Sequence, residues 1–168
     1  ILNKDNDLYY FSREEQELRQ LTANSSVENN PTFSPDAKQV AFTRDRDLYV
    51  LDIETGLEHR LTYDATDVIY NGWSSWVYYE EIIGRRSRHK ACWWSPDSKK
   101  LAFLRFDDTE VPMFPLYKAD GLHGELEKTR YPKVGDTNPG VKLGVLHLDT
   151  GKTVWLDTND KEDKYIAF

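Results

Sequence analysis

The chain has 168 residues, enough for about one domain, and its 39% hydrophobic and 30% charged residues are typical of a polar globular protein. The net charge of -7 argues against a nucleic-acid partner, because phosphate binding requires a basic surface. The single cysteine, Cys92, excludes an internal disulfide, and the histidines share no metal-ligand spacing, so we expect neither a metal nor a cofactor.

Segments of the chain repeat at fixed intervals, which is the pattern of a repeat protein. The stretch DLYYFSREEQELRQLT (7–22) matches DLYVLDIETGLEHRLT (47–62) at an offset of 40 residues. The stretch SPDAKQVAFTR (34–44) matches SPDSKKLAFLR (95–105) at an offset of 61 residues. Ser-Pro-Asp favours a turn, because proline presets φ and aspartate can bond the nearby backbone. In residues 47–62, apolar and polar residues alternate on both sides of a Glu-Thr-Gly turn, which predicts a β-hairpin.

A period near 40 residues with about four strands per unit is typical of a β-propeller blade, and a solenoid is the competing architecture. Because helical periodicity is weak, we predict an all-β fold. It is a partial β-propeller of about two and a half blades of four-stranded antiparallel sheet, with a short helical insertion. A closed propeller needs at least ~4 blades, so we expect the chain to be a fragment of a longer protein.

The predicted segments follow from the repeats and the lengths between them. They are, in chain order, the remainder of one blade (1–24), a blade (25–62), an insertion (63–90), a split blade (91–158) with an arm (107–141), and the start of the next blade (159–168). Long insertions in a regular repeat are usually functional. The arm carries four prolines and four glycines, which predicts an extended excursion rather than a regular pair of strands.

Three stretches in and around the insertions are distinctive: DVIYNGWSSWVYYEEI (67–82), WWSPDSKKLAFLRFDDTEVPMF (93–114) and YPKVGDTNPGVKL (131–143). Together they resemble the N-terminal β-propeller of the dipeptidyl peptidase IV family, serine peptidases of the prolyl oligopeptidase clan. The resemblance covers about Thr62 to Leu148 and favours a bacterial member. It implies a substrate-recognition segment of an exopeptidase that releases dipeptides from peptide N-termini, typically after proline or alanine.

The resemblance also implies that Glu80 and Glu81 bind the free α-amino group of the peptide. The residue types suit this role, because a protonated amine has three donors and an ionised carboxylate only accepts. Two alternatives stay open. Most Glu-Glu pairs are solvated surface charge, and Arg85 and Arg86 could pair with the two glutamates in a structural network.

The chain departs from the family pattern at several places. Animal members carry a third acidic residue where Tyr79 stands and a serine near the position of Gly84. Members also use a propeller arginine that lies upstream of the segment matching residues 7–22. The clan's nucleophile sits on a Gly-x-Ser-x-Gly elbow of an α/β-hydrolase domain, and no such pentapeptide occurs here. We therefore expect recognition from this segment, and catalysis from an α/β-hydrolase domain of the same polypeptide.

Partners and location follow from the resemblance alone. Residues 116–138 match, in placement, an arm that contributes to the homodimer interface of relatives; a flexible, solvated loop is the other interpretation. Relatives are usually secreted or membrane-anchored, which implies a periplasmic, cell-surface or membrane-anchored protein. The alternative function is a non-enzymatic binding propeller of Tol or WD-repeat type. A downstream α/β-hydrolase domain would separate the two functions.

Overall fold

The computed structural model describes residues 1–159 and 164–167, and most of the regular structure in this part of the chain is β-strand. The strands are β1 (Leu2–Lys4), β2 (Asp7–Ser12), β3 (Glu17–Gln20), β4 (Glu28–Phe33), β5 (Gln39–Arg44), β6 (Asp47–Asp52), β7 (Glu58–Arg60), β8 (Ile69–Asn71), β9 (Cys92–Trp94), β10 (Lys100–Asp107), β11 (Met113–Lys118), β12 (Glu125–Arg130), β13 (Gly140–His147) and β14 (Lys152–Trp155). Two short helical turns, Tyr78–Ile82 (π-type) and Arg85–Ser87 (3-10), lie between β8 and β9.

The strands form three successive antiparallel sheets and one separate hairpin. The first sheet has the order β1-β2-β3, and the second has the order β4-β5-β6-β7. In the third sheet the order is β14-β13-β10, and both β8 and β9 pair with the free edge of β10. No sheet of the described residues closes into a barrel. The predicted all-β partial propeller with a short helical insertion is confirmed.

The predicted start of another blade, 159–168, lies partly outside the described residues. Residues 164–167 are described and are not in a strand. This part of the prediction therefore stays untested.

The Ser-Pro-Asp repeat is a side-chain-locked turn at the start of a strand. In the first copy the Ser34 hydroxyl donates to Asp36 Oδ1 at 2.6 Å and accepts from the Gln39 N–H at 2.9 Å. In the second copy the Ser95 hydroxyl donates to Asp97 Oδ1 at the same 2.6 Å. Most bonds of the turn are local, although the Asp36 N–H also donates to Ser98 Oγ at 3.1 Å. The local bonds explain why the motif can be recognised in the sequence.

The repeated threonine at the end of each hairpin closes it onto the preceding strand. Thr22 Oγ1 accepts from the Leu8 N–H at 2.8 Å, and Thr62 Oγ1 accepts from the Leu48 N–H at 2.9 Å. The Thr62 hydroxyl also donates to Asp47 Oδ1 at 2.6 Å. One hydroxyl thus satisfies a buried backbone donor, and its loss would leave that donor unpaired.

Strand β5 connects the sheets because its alternate residues face opposite cores. Val40 and Phe42 pack in a core that also contains Leu8 of the first sheet. Ala41, on the other face, packs in a core that also contains Cys92 of the third sheet. Burial raises the pKa of the Cys92 thiol to about 11, so this residue is an unreactive part of the core.

The prediction of an irregular arm was wrong, because β11 and β12 form a regular antiparallel hairpin. Six residue pairs are in register, from Met113 with Arg130 to Lys118 with Glu125. Pro115 is tolerated within β11 because this isolated hairpin has two free edges, so a proline can sit where no ladder donor is needed.

Candidate functional site

The segment that carries the two glutamates interrupts the edge strand of the third sheet. Asn71, at the end of β8, pairs with Arg105, and Cys92, at the start of β9, pairs with Phe103. The chain therefore leaves and re-enters the sheet opposite residues of β10 that are two positions apart. Residues 72–91 form an excursion with a narrow neck, which we call the glutamate loop.

Backbone hydrogen bonds close the neck of the glutamate loop. The Gly72 N–H donates to the Leu104 carbonyl at 3.0 Å, and the Ala91 N–H donates to the Gly72 carbonyl at 2.9 Å. Gly72 has a φ of 68°, and a Cβ at this position would lie 3.2 Å from Leu48 Cδ1. Both the left-handed backbone and the close approach favour glycine, so the loop starts from a fixed point.

An aromatic sandwich connects the two ends of the loop to the helical turn. The His89 ring is stacked on Tyr79, with centroids 3.9 Å apart, and on Trp73, with centroids 4.6 Å apart. Its Nδ1 donates to the Ser74 carbonyl at 2.8 Å. Burial lowers the pKa of His89, against the opposing effect of the Ser74 hydrogen bond. The neutral imidazole is thus favoured, and it joins the two ends of the loop.

Tyr78 anchors the helical turn to the sheet. Its side chain is fully buried, and its ring meets Phe106 edge-on with centroids 4.8 Å apart. Its hydroxyl oxygen accepts from the Ile166 N–H at 2.8 Å. The anchor places the following residues, Glu80 and Glu81, at one position over the third sheet.

A buried carboxylate directly after β10 binds the segment that precedes the helical turn. The Ser75 hydroxyl donates to Asp108 Oδ2 at 3.0 Å, and the Asp108 side chain is almost completely buried. Asp108 Oδ1 has no hydrogen-bond partner among the described residues. Burial raises the pKa of Asp108 to about 6, although the Ser75 hydrogen bond acts in the opposite direction.

Glu80 is held on both carboxylate oxygens. Its Oε2 accepts from Trp76 Nε1 at 2.7 Å, and its Oε1 forms an ion pair with the Arg85 guanidinium group. The Glu80 side chain is 17% exposed, whereas that of Arg85 is 70% exposed. Glu80 is therefore oriented by a rigid indole on one side and paired with an exposed cation on the other.

Glu81 is in a different environment. It is exposed, and its carboxylate has no hydrogen bond or ion pair with any residue that the structure describes. Neighbouring residues on a helical turn point in different directions, so the carboxylate of Glu81 does not share the partners of Glu80. The two acidic residues thus combine one oriented and one freely accessible carboxylate.

The proposed arginine network is present only in part. Arg85 pairs with Glu80, whereas Arg86 is exposed and has no ion pair within the described part of the chain. The sequence could not distinguish these two arginines. The role of Glu80 and Glu81 in binding an amine stays a prediction.

The contacts of three residues in the loop and its support were not predicted. Trp76 was expected to anchor the insertion, but its bond to Glu80 was not; it could have been found, because an i, i+4 spacing brings helical side chains together. No comparable spacing points to His89 or Asp108, whose partners lie 15 and 33 residues away.

Other kinds of site receive no support from the described residues. Among them, no group of three His, Cys, Asp or Glu side chains could hold a metal ion. The described helical turns are too short and too polar to cross a membrane.

Comparisons with known proteins identify relatives of the chain. Residues 3–168 match the family model described as "Dipeptidyl peptidase IV (DPP IV) N-terminal region". Probable dipeptidyl peptidase 4 of Aspergillus fumigatus is 39% identical over 170 residues, covering 94% of this chain and 21% of the relative. Dipeptidyl peptidase 4 of Felis catus is 37% identical over 138 residues, covering 78% of this chain and 18% of the relative.

Solved structures show the same similarity. The crystal structure of Porphyromonas gingivalis dipeptidyl peptidase 4 matches with a TM-score of 0.77 and 29% identity, over 90% of this chain and 21% of that chain. A putative dipeptidyl aminopeptidase IV from Bacteroides ovatus matches with a TM-score of 0.69 and 25% identity, over 98% of this chain and 21% of that chain. The chain spans about a fifth of the length of these proteins.

Proposed function

The chain belongs to the family of dipeptidyl peptidase IV N-terminal regions, and from this premise we propose that it is the substrate-recognition segment of a serine exopeptidase. The exopeptidase releases N-terminal dipeptides after proline or alanine, and Glu80 and Glu81 bind the α-ammonium group of the peptide. One observation carries the proposal. Both carboxylates lie on the helical turn Tyr78–Ile82, where Trp76 orients Glu80 and Glu81 is exposed without a partner among the described residues.

The chemistry of the two glutamates fits an ammonium ligand. An ammonium group has three N–H donors, and ionised carboxylates offer only acceptors. Each charge-assisted hydrogen bond contributes roughly 1.5–3 kcal/mol. Two carboxylates close together repel each other in the empty site, and a cation relieves this repulsion. An acetylated amine carries no charge and has one donor, so the same site would bind it poorly.

Binding the ammonium group also explains how dipeptides are selected. A peptide has one α-ammonium group, so a fixed distance between this group and a nucleophile exposes one peptide bond to attack. The nucleophile belongs, in this proposal, to an α/β-hydrolase domain of the same polypeptide. The relatives bear names that describe dipeptide release, which agrees with this geometry.

A structural role for Glu80 is the second candidate, and the ion pair with Arg85 favours it. In that case the pair would hold the helical turn Tyr78–Ile82 against the turn Arg85–Ser87, and no ligand would be needed. This alternative leaves Glu81 without a role, since its carboxylate is exposed and unpaired within the described chain. An ion pair whose cation is as exposed as Arg85 contributes only about 0–1 kcal/mol, so the structural benefit would be small.

The test of the proposed function is the effect of acetylation on cleavage. The full-length protein is expected to cleave a Gly-Pro chromogenic substrate and to lose about 10²–10³-fold in kcat/KM when the α-amino group is acetylated, the loss corresponding to one or two charge-assisted bonds. Equal cleavage of the free and acetylated substrates would contradict the proposed function.

The proposed exopeptidase also forms a homodimer through residues 116–138. This range contains most of the hairpin β11–β12 and exposes large apolar side chains: Tyr117 is 68% exposed, Leu126 is 65% exposed and Leu122 is 94% exposed. Clustered apolar exposure of this kind favours a protein contact.

Deletion of residues 116–138 in the full-length protein is expected to halve the molar mass measured by light scattering. A short glycine linker can join residues 115 and 139, because Asp107 and Gly140, which flank the arm, face each other in the ladder of β10 and β13. A shortened protein that stays dimeric would show that another surface holds the dimer. The isolated chain is unsuited to this measurement, because its open strand edges can pair with each other.

A further inference from the structure

We propose that Arg85 is an internal competitor for the ammonium site. Its guanidinium group pairs with the Glu80 carboxylate when no peptide is bound, and this pairing weakens the binding of a peptide amine. The inference rests on the proposed function, because it concerns the same two carboxylates. It adds a residue that sets the affinity of the site and that the sequence pattern did not distinguish from its neighbour, Arg86.

The contacts of Glu80 show what an incoming amine meets. Trp76 Nε1 donates to Oε2, and the Arg85 guanidinium group pairs with Oε1. Both oxygens therefore have a donor before any ligand arrives. The indole is neutral, so it orients Glu80 without reducing its charge. Arg85 is a cation, so it neutralises the carboxylate that would attract the ligand.

The charges of the site lead to the same conclusion. Glu80 and Glu81 together carry two negative charges, and Arg85 brings one positive charge into direct contact with the first of them. The net charge that faces a ligand is then -1 instead of -2. Removal of the guanidinium charge would increase the attraction for a cation and remove a like-charge repulsion.

Arg85 can leave Glu80 easily. Its side chain is 70% exposed, and its guanidinium group has no other partner in the described part of the chain. An exposed ion pair of this kind shifts an equilibrium by only about 1.4–5-fold. The competition is therefore moderate, and a peptide amine that gains contacts with both glutamates displaces Arg85 or shares Glu80 with it.

Arg86 provides a matched control. It is the next residue of the same 3-10 turn, Arg85–Ser87, and it is also exposed. It carries the same charge, and no described residue forms an ion pair with it. Any effect of general surface charge would therefore appear in both variants, whereas a specific contact with Glu80 would appear in one.

The experiment compares Arg85→Gln and Arg86→Gln in the full-length protein. The probes are the KM of a Gly-Pro chromogenic substrate and the inhibition constant of the free dipeptide Gly-Pro. We expect Arg85→Gln to lower both constants by about 2–5-fold, the range for an exposed ion pair, and Arg86→Gln to change them by less than about 1.5-fold. Unchanged or raised constants in Arg85→Gln, or equal changes in both variants, would overturn the proposal.

A second comparison tests whether Arg85 acts through Glu80. In a Glu80→Gln background, Arg85→Gln is expected to have no further effect on either constant, because the two residues form one contact. A full effect in that background would overturn the proposal. Failure of the proposed function is recognised separately: wild-type protein would then cleave acetylated and free substrates equally, whatever the two arginine variants do.

Discussion

Replacement of Glu80 and Glu81 with glutamine in the full-length protein is expected to lower kcat/KM for free-amine peptides by about 10²–10³-fold for each residue. This loss corresponds to about 3–4 kcal/mol at 1.36 kcal/mol per decade, which is the range of one or two charge-assisted hydrogen bonds. Glutamine keeps the size of the side chain and can still accept from Trp76. The loss in kcat/KM therefore measures the contribution of the negative charge and not a change in the fold.

Two controls separate binding from indirect damage. Glu14→Gln, at an exposed position in the turn between β2 and β3, should leave kcat/KM unchanged. A small active-site label should react with the glutamate variants at the wild-type rate, because the proposed nucleophile lies on another domain. Near-normal cleavage of free-amine peptides by both variants would show that Glu80 and Glu81 are surface charges that do not bind the substrate amine.

Asp108 is expected to make the stability of the glutamate loop depend on pH. Its pKa is raised from 3.8 to about 6 by burial, so the folded protein binds a proton more tightly than the unfolded chain. The contribution to stability is full below about pH 4 and is lost as the pH rises through about 6; the difference amounts to about 3 kcal/mol. Asp108→Asn should remove this dependence while it keeps an acceptor for Ser75.

The measurement is urea unfolding of wild type and Asp108→Asn between pH 4 and pH 7.5, followed by tryptophan fluorescence. Between these limits the free energy of unfolding of wild type should fall relative to the variant by about 3 kcal/mol. The neighbouring Asp107 is the control. Burial acts to raise the pKa of Asp107, but hydrogen bonds from Thr109 outweigh it, and the pKa is lowered. Asp107→Asn should therefore leave the pH dependence between pH 4 and pH 7.5 unchanged, because a lowered pKa places the titration of Asp107 below this window. Parallel curves for wild type and Asp108→Asn would contradict the account.

Features that depend on neighbours in the sequence could be predicted. The Ser-Pro-Asp turns form through bonds within five residues, as in Ser34 with Gln39, and the hairpins repeat at an interval of 40 residues. The match to the dipeptidyl peptidase IV N-terminal family confirms the resemblance inferred from the three distinctive stretches. Fold class and family could thus be predicted from the sequence.

Features that depend on distant partners could not be predicted. The fully buried Glu28 side chain pairs with Arg44 at 2.6 Å, although glutamate is usually a surface residue. Asp108 meets Ser75 across 33 residues. In the arm, the abundance of proline and glycine led to a prediction without paired strands. The hairpin forms nevertheless, because a proline such as Pro115 is tolerated at a free strand edge.

The two arginines next to the glutamates show the same limit at the site. Their sequence positions differ by one, yet only Arg85 pairs with Glu80 among the described residues. Gly84, whose φ is 90°, immediately precedes the 3-10 turn that carries both arginines. This conformation is open to glycine and is not encoded in the charge pattern.

The most direct test of the amine-binding site couples the substrate amine to the two glutamates. The full-length wild type and the Glu80→Gln/Glu81→Gln variant are each assayed with free and α-acetylated Gly-Pro substrates. We predict that acetylation costs wild type about 10²–10³-fold in kcat/KM and costs the variant little, because the partner of the ammonium group is already lost. An equally large acetylation penalty in the variant would contradict the account.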